Sequence, residues 1–110
     1  ADSLSDVGNE VGERAWRMPL VEDYREAITS SVADVRNIGD QAKVQAGSIT
    51  AALFLQRFIG SRNWVHLDIA GAGRSDVDAG ENVKGATGYG VRLLTQWLAS
   101  APTIRSARSK

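Results

Sequence analysis

His66 and Asp68 stand two positions apart in an alternating stretch, so in an extended chain both side chains leave from one face. An imidazole beside a carboxylate can orient a general base or help hold a divalent cation. The chain has one histidine and no cysteine, so thiolate metal sites and a cysteine nucleophile are excluded, and a metal centre built on several histidines has nothing to draw on. The ordinary alternative is a half-buried His and Asp bonded to neighbouring backbone at the rim of a sheet. A serine nucleophile has no recognisable setting, because no Gly-x-Ser-x-Gly string occurs.

Other groupings are weaker. Asp76-Val77-Asp78-Ala79-Gly80-Glu81 starts like a calcium loop, but Gly80 stands at the fifth position and no correctly placed glutamate closes it. Ala70-Gly71-Ala72-Gly73 follows a strand as dinucleotide-binding glycines do, yet the third glycine of that pattern falls on Asp76, and no helix starts there. It reads as a strand-end turn that permits close backbone approach. Gly85-Ala86-Thr87-Gly88 precedes a helix, so its N–H groups can cap that helix or hold a carboxylate or phosphate beside Lys84. Asp34 and Asn37 lie in a loop, where both residue types also serve turns. No reaction follows from these residues alone.

The elements that must position them follow from periodicity. Leu4, Val7 and Val11 recur at helical spacing behind the candidate cap Ser3, and Gly12 ends the run. Trp16, Met18 and Leu20 alternate with Arg17 and Pro19, a short extended segment that proline confines to a strand end or edge. Glu22, Asp23 and Glu26 in the first turns, with an apolar stripe of Tyr24, Ala27 and Ile28, predict a helix from Val21 to about Ser30. Residues 33–46 keep no period and read as loop. Residues 49–55 are apolar nearly all round behind Ser48, which predicts a buried helix with Gly60 as its left-handed terminal residue. Residues 64–69 are the clearest strand, with Val65, Leu67 and Ile69 on its apolar face. The last helix carries Val91, Leu94 and Leu98, joined by Leu93 and Trp97, and stops at Pro102; residues 103–110 read as a flexible tail.

With 110 residues, 43 % of them apolar and 24 % charged, the chain reads as a globular body of no more than one domain. Thirteen basic side chains balance thirteen acidic ones, and the only basic cluster is Arg105, Arg108 and Lys110, which argues against nucleic acid as a partner. No apolar run nears the roughly 20 residues of a membrane span. Ala1-Asp2-Ser3 lacks the basic start of a secretion signal, and the missing cysteines fit the cytoplasm. The sole methionine is Met18, so trimming, processing or excision from a longer chain precedes Ala1. Excision has physical support. The strand at 64–69 and one poor extended segment cannot make a stable sheet, and a helix apolar all round needs cover on more than one side. The residues thus predict an excised part of a larger α/β domain, with exposed apolar surface and a tendency to associate.

Five strings together resemble the leucyl aminopeptidase family, the hexameric two-metal exopeptidases also called cytosol aminopeptidases. They are Arg14-Ala15-Trp16-Arg17-Met18-Pro19-Leu20, Ala33-Asp34-Val35-Arg36-Asn37-Ile38-Gly39, Ser48-Ile49-Thr50-Ala51-Ala52-Leu53-Phe54-Leu55, Trp64-Val65-His66-Leu67-Asp68-Ile69-Ala70-Gly71 and Lys84-Gly85-Ala86-Thr87-Gly88. Their order and spacing resemble the end of the family's catalytic domain. The resemblance implies an α/β fold in which residues 1–102 are the C-terminal portion of a larger mixed-sheet catalytic domain, with three to four helices and one or two strands present.

The activity implied is removal of N-terminal amino acids from peptides by two divalent cations, manganese or zinc, that polarise the carbonyl and supply a bound hydroxide. The family's ligands, carboxylates and a lysine, belong to upstream motifs, including an Asn-Thr-Asp-Ala-Glu-Gly-Arg string that has no counterpart here. The resemblance therefore implies no catalytic or metal-binding residue in this chain, no metal bound by it alone, and no activity without its parent. It places Ile38 and Ala70 in the walls of substrate side-chain pockets. It also puts Gly73 where relatives often carry a larger side chain such as methionine, implying a roomier first pocket. The run from Asp40 to Ala46 departs from the family's glycine-rich loop by carrying Gln41, Lys43 and Gln45. Peptide substrates, a hexameric parent and a cytoplasmic location complete the expectation. Two rivals differ in class: a non-catalytic binding or scaffold module derived from the peptidase domain, and an independent enzyme using His66 and Asp68.

Overall fold

The computed structural model describes residues 1–100. The flexible tail expected at 103–110 and the helix stop expected at Pro102 lie outside the described residues. Contacts divide the chain into two units, one Met18–Asp68 and the other joining Ala1–Arg17 to the stretch from Ile69 onward.

In Met18–Asp68 the predicted helix at 21–30 forms as a tighter 3-10 helix, Glu22–Ile28, and not as an α-helix. Its end is decided by competition for carbonyls. Ala27 O accepts from Asp40 N and Ile28 O from Arg36 N, both at 2.8 Å, so the loop at 33–46 takes acceptors that a further helical turn would have used. The apolar segment at 49–55 forms α2, Gly47–Gln56, but its cap position is Ala46 and no side chain caps it, so Ser48 does not have the expected role. Ile49 and Leu53 pack with Ile28, and Val21, Tyr24, Val35 and Phe54 close around them. Cover is one-sided, as Leu55 and Phe58 remain exposed. Three turn bonds lead out of the helix, and Gly60 then takes the left-handed φ of 61° expected of it.

In the other unit α1, Asp2–Val11, ends at Gly12 with φ 77°, as predicted. Ala1, not Ser3, precedes the helix, and the Ser3 hydroxyl instead accepts from Trp97 Nε1 at 3.0 Å. Trp97 belongs to α3, Val91–Ser100, which packs on α1. Leu4 and Leu93 are buried there.

The sheet differs from expectation. Residues 64–69 and 16–20 form neither helix nor ladder among the described residues. Trp16 is 89 % exposed, and Val65 and Ile69 are exposed as well, so these apolar side chains lack the cover a sheet would give. The ladder present is a short antiparallel pair, β1 (Arg74–Ser75) and β2 (Gly85–Ala86), with Arg74 opposite Ala86 and Ser75 opposite Gly85. No alternation of apolar and polar residues announces it. Turn chemistry makes it, through the Ala79–Asn82 bridge and the Asp78 carboxylate, which accepts from Lys84 N at 2.7 Å.

Candidate functional site

Residues 69–73 form the glycine turn expected after the extended stretch. Ile69 O accepts from Ala72 N at 3.1 Å and from Gly73 N at 2.7 Å. A Cβ on Gly73 would lie 2.9 Å from Ile69 O, a rigid backbone atom, so any larger residue here requires the turn to shift. Ala70 is exposed at the turn, and Gly73 is half-buried behind it. Two of the three substrate-wall candidates therefore belong to one small structure.

That turn is strapped from the other side. Thr87 donates through its N–H to Gly73 O at 3.1 Å and through its hydroxyl to Ala72 O at 2.6 Å. The same hydroxyl accepts from Tyr89 N at 3.2 Å, and the Tyr89 phenol donates to Arg14 O at 2.7 Å. Beside Arg14, the Glu13 side chain is only 6 % exposed. Its Oε2 accepts from Gly90 N at 3.0 Å and Leu93 N at 2.9 Å, and its Oε1 from Arg92 Nε at 3.3 Å. Burial alone would push this carboxyl up, but the two N–H groups and the guanidinium prevail and hold it below its ordinary value of 4.5. The anion thus sits at the N-terminus of α3, where the helix dipole also favours it.

The glycine-rich run 85–88 offered either helix capping or a bound carboxylate or phosphate; the donors in fact lie downstream at Gly90 and Leu93, and the carboxylate is the chain's own. Sequence spacing gives no hint of Glu13, because its backbone partners are 77 and 80 positions away. The calcium-like loop is likewise engaged internally. Arg74 pairs with Asp76 at 3.4 Å, and Arg92 reaches Glu81 through two bonds of 2.9 Å. Hydrogen bonds from that guanidinium lower the Glu81 pKa and raise that of Arg92 in turn. Among the described residues no group of three or more His, Cys, Asp or Glu side chains could hold a metal ion.

Ile38 and His66 belong to the Met18–Asp68 unit. Ile38 is exposed on an open pocket of about 410 Å³ that Asn37, Gln41, Val44, Gln45 and Thr50 also line. The departures Gln41 and Gln45 thus shape the same pocket as Ile38. The His66 ring stacks on Trp64, centroids 6.2 Å apart and planes at 23°. Its Nε2 is enclosed without a hydrogen-bond partner. The ring is half-buried as the ordinary alternative expects, but Nε2 lacks the hydrogen bond that this alternative includes.

Comparison with known proteins decides the family. The catalytic-domain profile of the cytosol aminopeptidase family matches residues 1–95. The chain belongs to the cytosol aminopeptidase family. A "Probable cytosol aminopeptidase" of Synechococcus sp. is 51 % identical over 89 % of this chain and 19 % of its own length. "Probable cytosol aminopeptidase 1" of Shewanella oneidensis is 46 % identical over 86 % of this chain and 19 % of its own. A solved structure of a tomato leucine aminopeptidase mutant superposes with a TM-score of 0.73 at 41 % identity, covering 88 % of this chain and 18 % of that one. The chain thus spans about a fifth of the length of these cytosol aminopeptidases. Both the α/β class and the likeness to leucine aminopeptidase expected from the sequence hold. No helix among the described residues is long and apolar enough to cross a membrane.

Proposed function

We propose that this segment forms part of the substrate-binding wall of a leucyl-type aminopeptidase whose reacting groups lie outside these residues. The complete enzyme removes N-terminal amino acids from peptides with two divalent cations, manganese or zinc, and works as a cytoplasmic hexamer. The observation that carries this reading is the turn at 69–73, where exposed Ala70 is backed by the close-packed Gly73 and both neighbouring carbonyls are fixed by Thr87. A wall must hold its shape against a ligand, and a doubly bonded turn does so at little entropic cost.

The donor set here does not fit a pair of cations. Glu13 is buried under a helix terminus, and Asp76, Asp78 and Glu81 each have a partner within the chain. No step of hydrolysis is therefore assigned to these residues. The exposed Trp16, Val65, Ile69 and Phe58 keep a scaffold role in contention, since apolar side chains of this kind favour association.

Release of p-nitroaniline from leucine p-nitroanilide, with manganese or zinc supplied, tests this division of labour. The 110-residue chain should release none above the buffer rate, whereas the full-length aminopeptidase carrying it should turn over. Turnover by the chain alone, lost in His66→Ala, would instead support an independent enzyme. Gly73 bears on preference. The family resemblance implies that a larger side chain at this position narrows the first pocket, so Gly73→Met in the full-length enzyme should shift preference toward small N-terminal residues. Because the new Cβ meets Ile69 O, that variant also displaces the turn, at about 1–3 kcal/mol of stability.

A further inference from the structure

We propose that Glu13 is the positioning residue for the turn at 69–73, acting through the strap that runs from Thr87 into α3. The proposal rests on the reading of that turn as substrate wall.

The residue before α3 is Gly90, which has no side-chain oxygen with which to cap the helix. Glu13 supplies the cap from far along the chain. One carboxylate oxygen receives the N–H groups of Gly90 and Leu93, and the other receives Arg92. Next to Glu13, the Arg14 carbonyl takes the Tyr89 phenol. The strap is therefore gripped from residues 13 and 14 by both the backbone of Gly90 and the side chain of Tyr89. At its other end Thr87 holds Ala72 O and Gly73 O, and Tyr89 N bonds the Thr87 hydroxyl, which fixes the orientation of that side chain. The β1–β2 pair secures the residues that follow the turn, but the carbonyls of Ala72 and Gly73 depend on Thr87.

The relay predicts where a change at Glu13 is felt. Glu13→Gln keeps the size of the side chain and removes its charge and one acceptor oxygen, so the strap loosens while the apolar contacts of α1 and α3 remain. In the full-length aminopeptidase, amide exchange at Gly73 and Thr87 should accelerate about tenfold, the scale of a lost bond to a charged group, while Leu53 in the other unit is unchanged. In the full-length aminopeptidase, KM for leucine p-nitroanilide should rise about tenfold with a smaller change in kcat. Thr87→Val should reproduce the KM change, and the double variant should be no worse than the worse single one. Unaltered exchange at Gly73 and Thr87 in Glu13→Gln, or KM effects that multiply, overturns the relay. Ala70→Val tests the wall reading separately. If it leaves KM untouched that reading falls, and the exchange comparison still decides whether Glu13 holds the turn.

Discussion

In Met18–Asp68 the buried centre is Ile28, Ile49 and Leu53, all hydrocarbon, and the helices around it answer to shape. In the other unit Leu4 and Leu93 share the interior with a carboxylate, and the structure above them is held by bonds to Glu13, Thr87 and Tyr89. Apolar burial tolerates approximate geometry, whereas a network of directed bonds fixes atoms in place. The unit carrying the turn at 69–73 uses the second device, which is what the proposed role of Ala70 as a substrate wall requires.

The sharpest way to break this contrast is to exchange the kinds of damage. Leu53, with no exposed surface, should cost about 2–5 kcal/mol on replacement by alanine, read by denaturant unfolding, because a cavity remains in a packed centre. The turn at 69–73 should keep its exchange protection in that variant. Glu13→Ala should cost less, about 1–3 kcal/mol, since it leaves the N–H groups of Gly90 and Leu93 without their acceptor. Its damage should be confined to the strap and turn.

Acid provides a reversible version. The folded-state pKa of Glu13 lies below 4.5, so its stabilising contribution is complete above that value and is lost as the pH falls through the lowered pKa. Protection of the Gly73 and Thr87 amides, relative to their intrinsic exchange rates at each pH, should therefore fall below about pH 4.5, before that of Leu53, and Glu13→Gln should abolish the difference. The smallest effect belongs to Glu81→Gln. The Arg92–Glu81 pair is well exposed and screened by solvent, so unfolding should shift little while Glu13 keeps its two backbone donors.

The three α-helices were legible from the helical spacing of Leu4, Val7 and Val11 and of Val91, Leu94 and Leu98, and from the apolar run 49–55, although α3 buries Leu93 and leaves Val91, Leu94 and Leu98 exposed. The end of the 3-10 helix was not legible, since it depends on carbonyls claimed by Arg36 and Asp40 from a loop without periodicity. Residues 64–69 show the pattern of a strand but join no ladder, because a ladder needs neighbours that no pattern within one strand can supply. The β1–β2 pair escaped notice for the opposite reason, being made of backbone bonds and turns with no apolar alternation. At the site, Gly71 and Gly73 marked a turn on conformational grounds, but the roles proposed for Ile38, Ala70 and Gly73 came only with the family resemblance. Glu13 could not be found from spacing, because a cap drawn from the far end of a chain has no local signature.

The central claim is that the turn at 69–73 faces substrate in the complete aminopeptidase. Its most direct test compares Ala70→Val with the parent residue in the full-length enzyme, using leucine and alanine p-nitroanilides under identical metal loading. Two added methyl groups at a pocket wall should change the ratio of kcat/KM for the two substrates about 10-fold or more. A ratio unchanged by the substitution, in an enzyme that still folds and turns over, would contradict the account.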